Sequence, residues 1–162
     1  MTTRRKLLTG LAGMLAGVFV SKHAAAEQSS AASAEDLRFP GDPTEHNVIY
    51  QLNKSDDKYH DGVLFSVGEM LRKYNDNITI VVTAFGTGIH VLAKIPGRPV
   101  SDKNMQSVQS LAAYGVKFHA CGNTLQALGW DKDDLYDFAE IVQVGAADLL
   151  EHQEKGFAYI SL

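Results

Sequence analysis

The residues of this chain that could do chemistry meet in one short stretch, residues 116–125. Cys121 is the only cysteine of the 162 residues, and it lies where a strand-like apolar run passes directly into a predicted helix. The unpaired N–H groups and the positive dipole end of a helix start favour a thiolate over a thiol. Gly122 leaves room beside the sulfur, while Asn123 and Thr124 add polar hydrogens. The stretch therefore predicts either a reactive cysteine or a buried one, since a single cysteine commonly packs as a small apolar residue.

Strands that alternate with helices must position this stretch. The alternation predicts an α/β domain whose mainly parallel sheet is covered by helices on both sides. Right-handed crossovers then bring every strand-to-helix loop to one edge of the sheet, the edge at which ligands bind in such folds. The predicted strands span 47–53, 78–84, 116 to 120 or 121, 141–144 and 157–160.

The loops at this edge contain the residues that we predict to bind a substrate. Two glycines follow the second predicted strand at once and allow tight turning and close backbone approach to a ligand. This turn is no phosphate loop, because neither Gly-x-Gly-x-x-Gly nor Gly-Lys-Ser/Thr is present. Around the candidate nucleophile Cys121, the predicted substrate-binding residues are Gly86, Gly88, His119, Gly122, Asn123 and Thr124.

Histidines near the thiol offer two further roles. His119 stands two residues before Cys121, so in an extended strand both side chains point to the same face. It is either an imidazolium that stabilises the thiolate or a packed strand residue. Zinc and copper accept Cys121, His119 and His90 as ligands, but no His-x-x-x-His or Cys-x-x-Cys spacing supports a site, so we predict no metal and no cofactor. Three more histidines fall at predicted exposed positions: His46, His60 and His152.

The first 26 residues have the pattern of an export signal. A basic start at residues 4–6 precedes an apolar run at 7–20, and three alanines at 24–26 offer a cleavage site. The apolar run is too short to span a bilayer comfortably, which favours a cleaved signal over a membrane anchor. The paired arginines indicate the twin-arginine route. We therefore expect a periplasmic protein, cleaved near Ala26 and not attached to the membrane afterwards.

Residues 27–45 read as a flexible leader to a folded domain at 46–162, because they are rich in Ala, Ser, Gln and acidic residues and show no apolar period. Removal of the signal leaves 11 basic and 19 acidic residues, a net charge of −8. Such a surface repels phosphate backbones, so we expect no nucleic-acid binding. One cysteine forms no internal disulfide, and in an exported chain the thiol is buried, reactive or paired with another molecule.

Three segments resemble the DsrE/DsrF-like proteins of intracellular sulfur oxidation and sulfur relay. They are Phe-His-Ala-Cys-Gly-Asn-Thr at 118–124, Gly-Ala-Ala-Asp-Leu-Leu-Glu-His-Gln-Glu-Lys-Gly-Phe-Ala-Tyr-Ile at 145–160, and the glycine turn at 84–88. The resemblance covers about residues 46–162. It implies a five-stranded α/β/α sandwich assembled into trimers or hexamers, and a loop cysteine that carries sulfur as a persulfide, a role only Cys121 can take. Two features depart from the family pattern. One is the predicted export, and the other is Phe85, at a position where many relatives place a histidine.

These observations combine into one functional hypothesis and two alternatives. The hypothesis is a sulfur carrier, transferase-like at most, whose Cys121 thiolate takes sulfur from a sulfane donor and passes it to an acceptor thiol. Its partners would be sulfur donor and acceptor proteins or thiols. The first alternative is a non-catalytic small-ligand-binding or oligomeric module with a buried cysteine. The second is a periplasmic metal-binding protein.

Overall fold

The computed structural model describes residues 42–162. The predicted signal at 1–26 and most of the predicted leader at 27–45 lie outside the described residues. Residues 42–45 belong to no helix or strand, and the first strand begins at His46. Within the described part of the chain, every helix is too short or too polar to cross a membrane.

Five parallel strands form one sheet within residues 42–162, in the order β4-β3-β2-β1-β5. The central strands are rich in β-branched residues and are buried, as expected of strands covered on both faces. This confirms the predicted fold class, a three-layer α/β/α sandwich around a five-stranded parallel sheet. The strands are β1 (His46–Leu52), β2 (Ile78–Ala84), β3 (Lys117–Cys121), β4 (Ala139–Val142) and β5 (Ala158–Ile160).

Helices connect these strands, and their starts follow the capping residues in the sequence. Asp56 Oδ1 accepts a hydrogen bond from the Tyr59 N–H at 2.9 Å, and Ser101 Oγ accepts one from the Asn104 N–H at 3.3 Å. Each cap satisfies an N–H group that the helix itself leaves unpaired. The described helices are α1 (Asp57–Tyr74), α2 (Asp102–Ala113), α3 (Gly122–Leu128) and α4 (Gly145–Glu154), with 3₁₀ segments at Gly86–Leu92 and Lys132–Asp134.

The two faces of the sheet are covered unequally. The main core lies between one face and α1, α2 and α3, whereas α4 covers the other face over a small cluster of Ile49, Val81 and Leu149. The chain steps outward from β1 to β4, so right-handed crossovers place the first three helices together. The return from β4 to β5 crosses the opposite face and carries α4 there.

The segment after β2 is a 3₁₀ helix that begins at the glycine turn. Two features differ from the sequence-based expectation. Strand β4 begins at Ala139 rather than Ile141, because Ala139 pairs with Phe118 and is fully buried while Ile141 is exposed. His60, predicted to be exposed, is fully buried, and its ring donates a hydrogen bond to the Lys54 carbonyl at 2.6 Å.

Candidate functional site

The loops at the carboxyl ends of the strands meet as the alternating pattern predicts. The Gly86 N–H donates to Thr124 Oγ1 at 3.0 Å, which joins the turn after β2 to the first turn of α3. The Thr87 hydroxyl donates to the Asn53 carbonyl at 3.3 Å, which joins the same turn to the end of β1. Hydrogen bonds therefore hold three separate loops together near the end of β3.

Cys121 is the last residue of β3 and the N-cap of α3, as the sequence predicts. The Gly145 N–H, at the start of α4, donates a hydrogen bond to Cys121 Sγ at 3.2 Å. Burial raises the pKa of the Cys121 thiol, but hydrogen bonds from Gly145, the Thr124 hydroxyl and the Thr124 and Asn123 N–H groups together lower the pKa below that of an ordinary thiol. Two helix starts therefore face one sulfur and stabilise its anion.

Access to this sulfur is narrow, since Cys121 is only 5% exposed. A Cβ built on Gly145 would lie 3.1 Å from Phe85 and 3.2 Å from the Cys121 Cβ, so the turn after β2, the cysteine and the start of α4 are in close contact. Asn123 is exposed, and Gly122 and Thr124 are half-buried. A reagent must therefore be small in cross-section to reach the Cys121 sulfur. A bulkier reagent requires a local displacement of these loops.

The glycines of the site are required by backbone packing. A Cβ on Gly88 would lie 2.3 Å from the Leu52 carbonyl oxygen, and one on Gly122 would lie 3.3 Å from the Val142 carbonyl oxygen. Gly86 has a φ of +54°, which favours glycine. The glycines thus let the turn after β2 and the start of α3 approach neighbouring strands. Their contact with a substrate stays a prediction.

His119 is buried, and its ring is directed to α4. His119 Nδ1 lies 2.9 Å from Asp148 Oδ2, while its Nε2 lies 3.9 Å from the exposed carboxylate of Glu140. Among the described residues, the hydrogen bond that holds this ring is therefore to a carboxylate and not to the Cys121 sulfur. His119 is a packed strand residue with a polar partner, and it positions Asp148 one helical turn from Gly145.

Asp148 and His152 form a polar contact with His119 that the sequence analysis missed. The Thr83 hydroxyl donates to Asp148 Oδ2 at 2.5 Å, and His152 Nδ1 lies 2.8 Å from the Asp148 carbonyl oxygen and 3.2 Å from Oδ1. Burial raises the pKa of Asp148, but the hydrogen bonds from His119 and Thr83 lower it below the usual range. The prediction that His152 is exposed is wrong, since its side chain is 14% exposed. The Asp-x-x-x-His spacing on α4 was the available signal.

His90 lies elsewhere, on the side of the main core. Its Nδ1 accepts a hydrogen bond from the Gly97 N–H at 3.2 Å, and its ring meets the Trp130 ring edge-on at 5.0 Å. Burial lowers the pKa of His90. Among residues 42–162, the ligand atoms that converge as a metal site would require belong to His119, Asp148 and His152. The set of Cys121, His119 and His90, considered from the sequence, is therefore not brought together.

Comparison with known proteins places this chain in a wider group. A family model described as the DsrE/DsrF-like family matches residues 49–162. The search of curated proteins found no match.

Three solved structures are similar to this chain. A protein of unknown function, MTH1491 from Methanobacterium thermoautotrophicum, is 27% identical with a TM-score of 0.65, and the match covers 73% of this chain and 100% of that one. The ychN protein from E. coli is 12% identical with a TM-score of 0.59, covering 72% and 99%. The conserved protein of unknown function BT1422 from Bacteroides thetaiotaomicron is 10% identical with a TM-score of 0.52, covering 72% and 94%. The last two likenesses concern the fold alone.

Proposed function

The chain belongs to the DsrE/DsrF-like family, and from that premise we propose that it is a periplasmic sulfur carrier that holds sulfane sulfur as a persulfide on Cys121. Family membership supports a sulfur-relay type of function at the level of the family. One observation supports the role of this residue. The Gly145 N–H donates to the Cys121 sulfur at 3.2 Å from a second helix start, which stabilises a thiolate at the sheet edge where ligands bind in α/β folds.

The proposed reaction is a pair of thiol exchanges that balance without an outside oxidant. The Cys121 thiolate attacks the terminal sulfur of a polysulfide or donor persulfide, and its electron pair forms the new S–S bond. The old S–S bond breaks, and its electrons leave on the donor thiolate. An acceptor thiolate then attacks the outer sulfur of the Cys121 persulfide and releases the Cys121 thiolate.

The N–H groups around the sulfur serve both halves of this exchange. In the first half they stabilise the attacking thiolate, and in the second half they stabilise the same thiolate as a leaving group. The low exposure of Cys121 favours a small inorganic donor over a bulky one. It also shields the bound sulfur from stray thiols until the acceptor displaces the neighbouring loops.

Location and assembly complete the proposal. The basic start, the apolar run and the alanine site within residues 1–26 support export by the twin-arginine route, with cleavage near Ala26. Assembly into trimers or hexamers rests on the family resemblance. N-terminal sequencing of the protein recovered from the periplasm tests the cleavage site, and a chain that retains its first residues there would contradict it.

Mass spectrometry of the native protein after treatment with inorganic polysulfide tests the central step. We expect a mass gain of one sulfur atom, located at Cys121 by peptide mapping and reversed by dithiothreitol. The C121S variant should show no gain. The same treatment of the urea-unfolded wild-type chain is the control for reagent quality. A gain in the unfolded chain with none in the native chain would rule the carrier out.

The burial of Cys121 specifically favours the second candidate, a non-catalytic binding module in which the cysteine only packs. The two candidates differ in how the native thiol reacts with iodoacetamide, a small reagent. Modification of the folded chain supports the carrier. Protection that persists until the chain is unfolded supports the binding module.

A further inference from the structure

A second group of side chains lies beside the thiol on the face covered by α4. It consists of His119, Asp148 and His152, here called the Asp148 cluster. One candidate ligand atom from each residue lies within 4.8 Å of the other two. The side chains of His119 and Asp148 are 9% and 7% exposed, so the carboxylate is removed from most of the water that would otherwise solvate its charge. Such a buried charge is stable only with close partners.

The donor set is of the kind that binds a borderline divalent cation. Two imidazoles and one carboxylate match the ligand types of three-ligand zinc sites, whereas calcium and magnesium prefer oxygen ligands throughout. His119 Nδ1 and Asp148 Oδ2 lie 2.9 Å apart. Ligand atoms of a tetrahedral zinc ion are separated by roughly 3.3 Å when each lies about 2.0 Å from the metal. The pair is therefore close to the spacing that one ion requires. Zinc binding at Nδ1 would replace the hydrogen that Nδ1 donates to Asp148, and the ring would carry its hydrogen on Nε2, which lies 3.9 Å from the Glu140 carboxylate.

Neighbouring groups hold the Asp148 cluster in place. The Thr83 hydroxyl donates to Asp148 Oδ2, which orients the carboxylate. His152 Nδ1 lies 2.8 Å from the Asp148 carbonyl oxygen, a contact that leaves Nε2 of His152 as the lone-pair nitrogen. The Phe157 ring meets the His152 ring edge-on at 4.8 Å and limits its rotation. Partners of this kind orient the ligands of metal sites.

Position and charge also favour a cation. Asp148 and His152 are four residues apart on α4 and so lie on one face of the helix. The exposed Glu140 carboxylate, 3.9 Å from His119 Nε2, adds a second negative charge at the rim. A divalent ion would offset the buried negative charge of Asp148.

We propose that His119, Asp148 and His152 bind one zinc ion per chain, with a fourth coordination position left to water or a small ligand. Three protein ligands with an open position are the arrangement of zinc sites that bind or activate a further molecule. The site is separate from the persulfide: it uses neither the Cys121 sulfur nor its electrons.

Equilibrium dialysis of the purified full chain against ZnCl₂, with stoichiometry measured by elemental analysis, tests this proposal. We expect one zinc per chain in the wild type. Because each variant removes a ligand, D148N and H152A should each weaken binding by at least the roughly 10- to 100-fold that loss of an outer-shell partner costs. The matched control is H46A, since His46 is an exposed histidine outside the cluster. C121S should bind zinc like the wild type.

Cobalt(II) in place of zinc gives a second readout on the same proteins. We expect ligand-field bands of low-coordinate cobalt with no sulfur-to-cobalt charge-transfer band. Circular dichroism identifies a variant that fails to fold, and H152A keeps the test valid because His152 is only half-buried and near the end of α4. Absence of binding, equal binding by H152A, or loss of binding in C121S would each overturn the proposal. None of these results bears on sulfur uptake, which the polysulfide experiment measures separately.

Discussion

At the scale of single residues, the chemistry of this chain depends on partners that are distant in sequence. Cys121 stands out in the sequence because it is the only thiol and precedes a helix, yet one N–H group that donates to its sulfur belongs to Gly145, 24 positions later. The sequence left open whether the His119 ring stabilises the thiolate or packs within the strand, and in the structure the ring is hydrogen-bonded to Asp148. The sequence identifies the residues that could do chemistry, whereas it does not identify the residues to which they are hydrogen-bonded.

His60 gives a prediction about stability and pH. Burial lowers the pKa of His60, against smaller raising effects from the hydrogen bond to the Lys54 carbonyl and from the charges of Asp57 and Asp56. His60 of the unfolded chain takes up a proton near the ordinary pKa of 6.5, whereas His60 of the folded chain takes it up only at lower pH. The contribution of His60 to the free energy of unfolding is therefore complete above pH 6.5. This contribution is lost as the pH falls below 6.5, by up to about 1.4 kcal/mol per pH unit.

Urea unfolding between pH 5 and pH 7.5 measures this effect. We expect H60Q to reduce the loss of unfolding free energy on the acid side, without abolishing it, because the pKa of His90 is lowered as well. H46Q is the control, since His46 is exposed. An acid-side slope in H60Q equal to that of the wild type would contradict the assignment.

At the scale of secondary-structure elements, the sequence was a good guide wherever a local cause sets the boundary. Strand β2 was predicted well, because a β-branched run acts locally. The starts of α1 and α2 follow local causes as well, since each is capped by a nearby side chain, Asp56 or Ser101. Strand β4 was predicted two residues late, because its start is set by pairing with β3 and by the burial of Ala139. The burial of His152 was missed for a similar reason, since Asp148 and Phe157 cover it only once α4 packs on the sheet.

The contact between α4 and β3 gives a prediction about Gly145. A Cβ there would lie 3.1 Å from Phe85 and 3.2 Å from the Cys121 Cβ, so the methyl of G145A requires its neighbours to give by a few tenths of an ångström. We expect the start of α4 to shift outward and its hydrogen bond to the sulfur to weaken. We expect a loss of about 1–3 kcal/mol in unfolding free energy. We also expect a higher thiol pKa and slower iodoacetamide modification at neutral pH.

A second glycine provides the matched control. Gly62 lies inside α1, and a Cβ there would meet nothing within 4 Å. G62A should therefore raise the unfolding free energy by about 0.5–1 kcal/mol and leave thiol reactivity unchanged. Thiol reactivity in G145A equal to that of G62A would show that the Gly145 N–H does not tune the sulfur.

At the scale of the whole molecule, the site lies where the two layers of helices meet the same edge of the sheet. Helix α3 lies on the main-core side and has Cys121 as its N-cap residue. Helix α4 lies on the other side, and the Gly145 N–H at its start donates a hydrogen bond to the Cys121 sulfur. The alternation of strands and helices predicted this edge. The strand order β4-β3-β2-β1-β5 was left open, because parallel strands buried on both faces look alike in sequence. The sequence therefore predicted that the strand-to-helix loops meet at one edge of the sheet, but it did not predict which strands are neighbours.

The pH dependence of Cys121 modification by iodoacetamide in the folded chain tests the central claim most directly, since uptake and transfer of sulfur both need an accessible thiolate. We expect reaction without unfolding, with a midpoint below the ordinary thiol value of about 8.5. T124V, which removes the hydroxyl that hydrogen-bonds the sulfur, should move the midpoint upward. A native thiol that reacts only after unfolding, or that titrates at or above the ordinary value, would contradict the account.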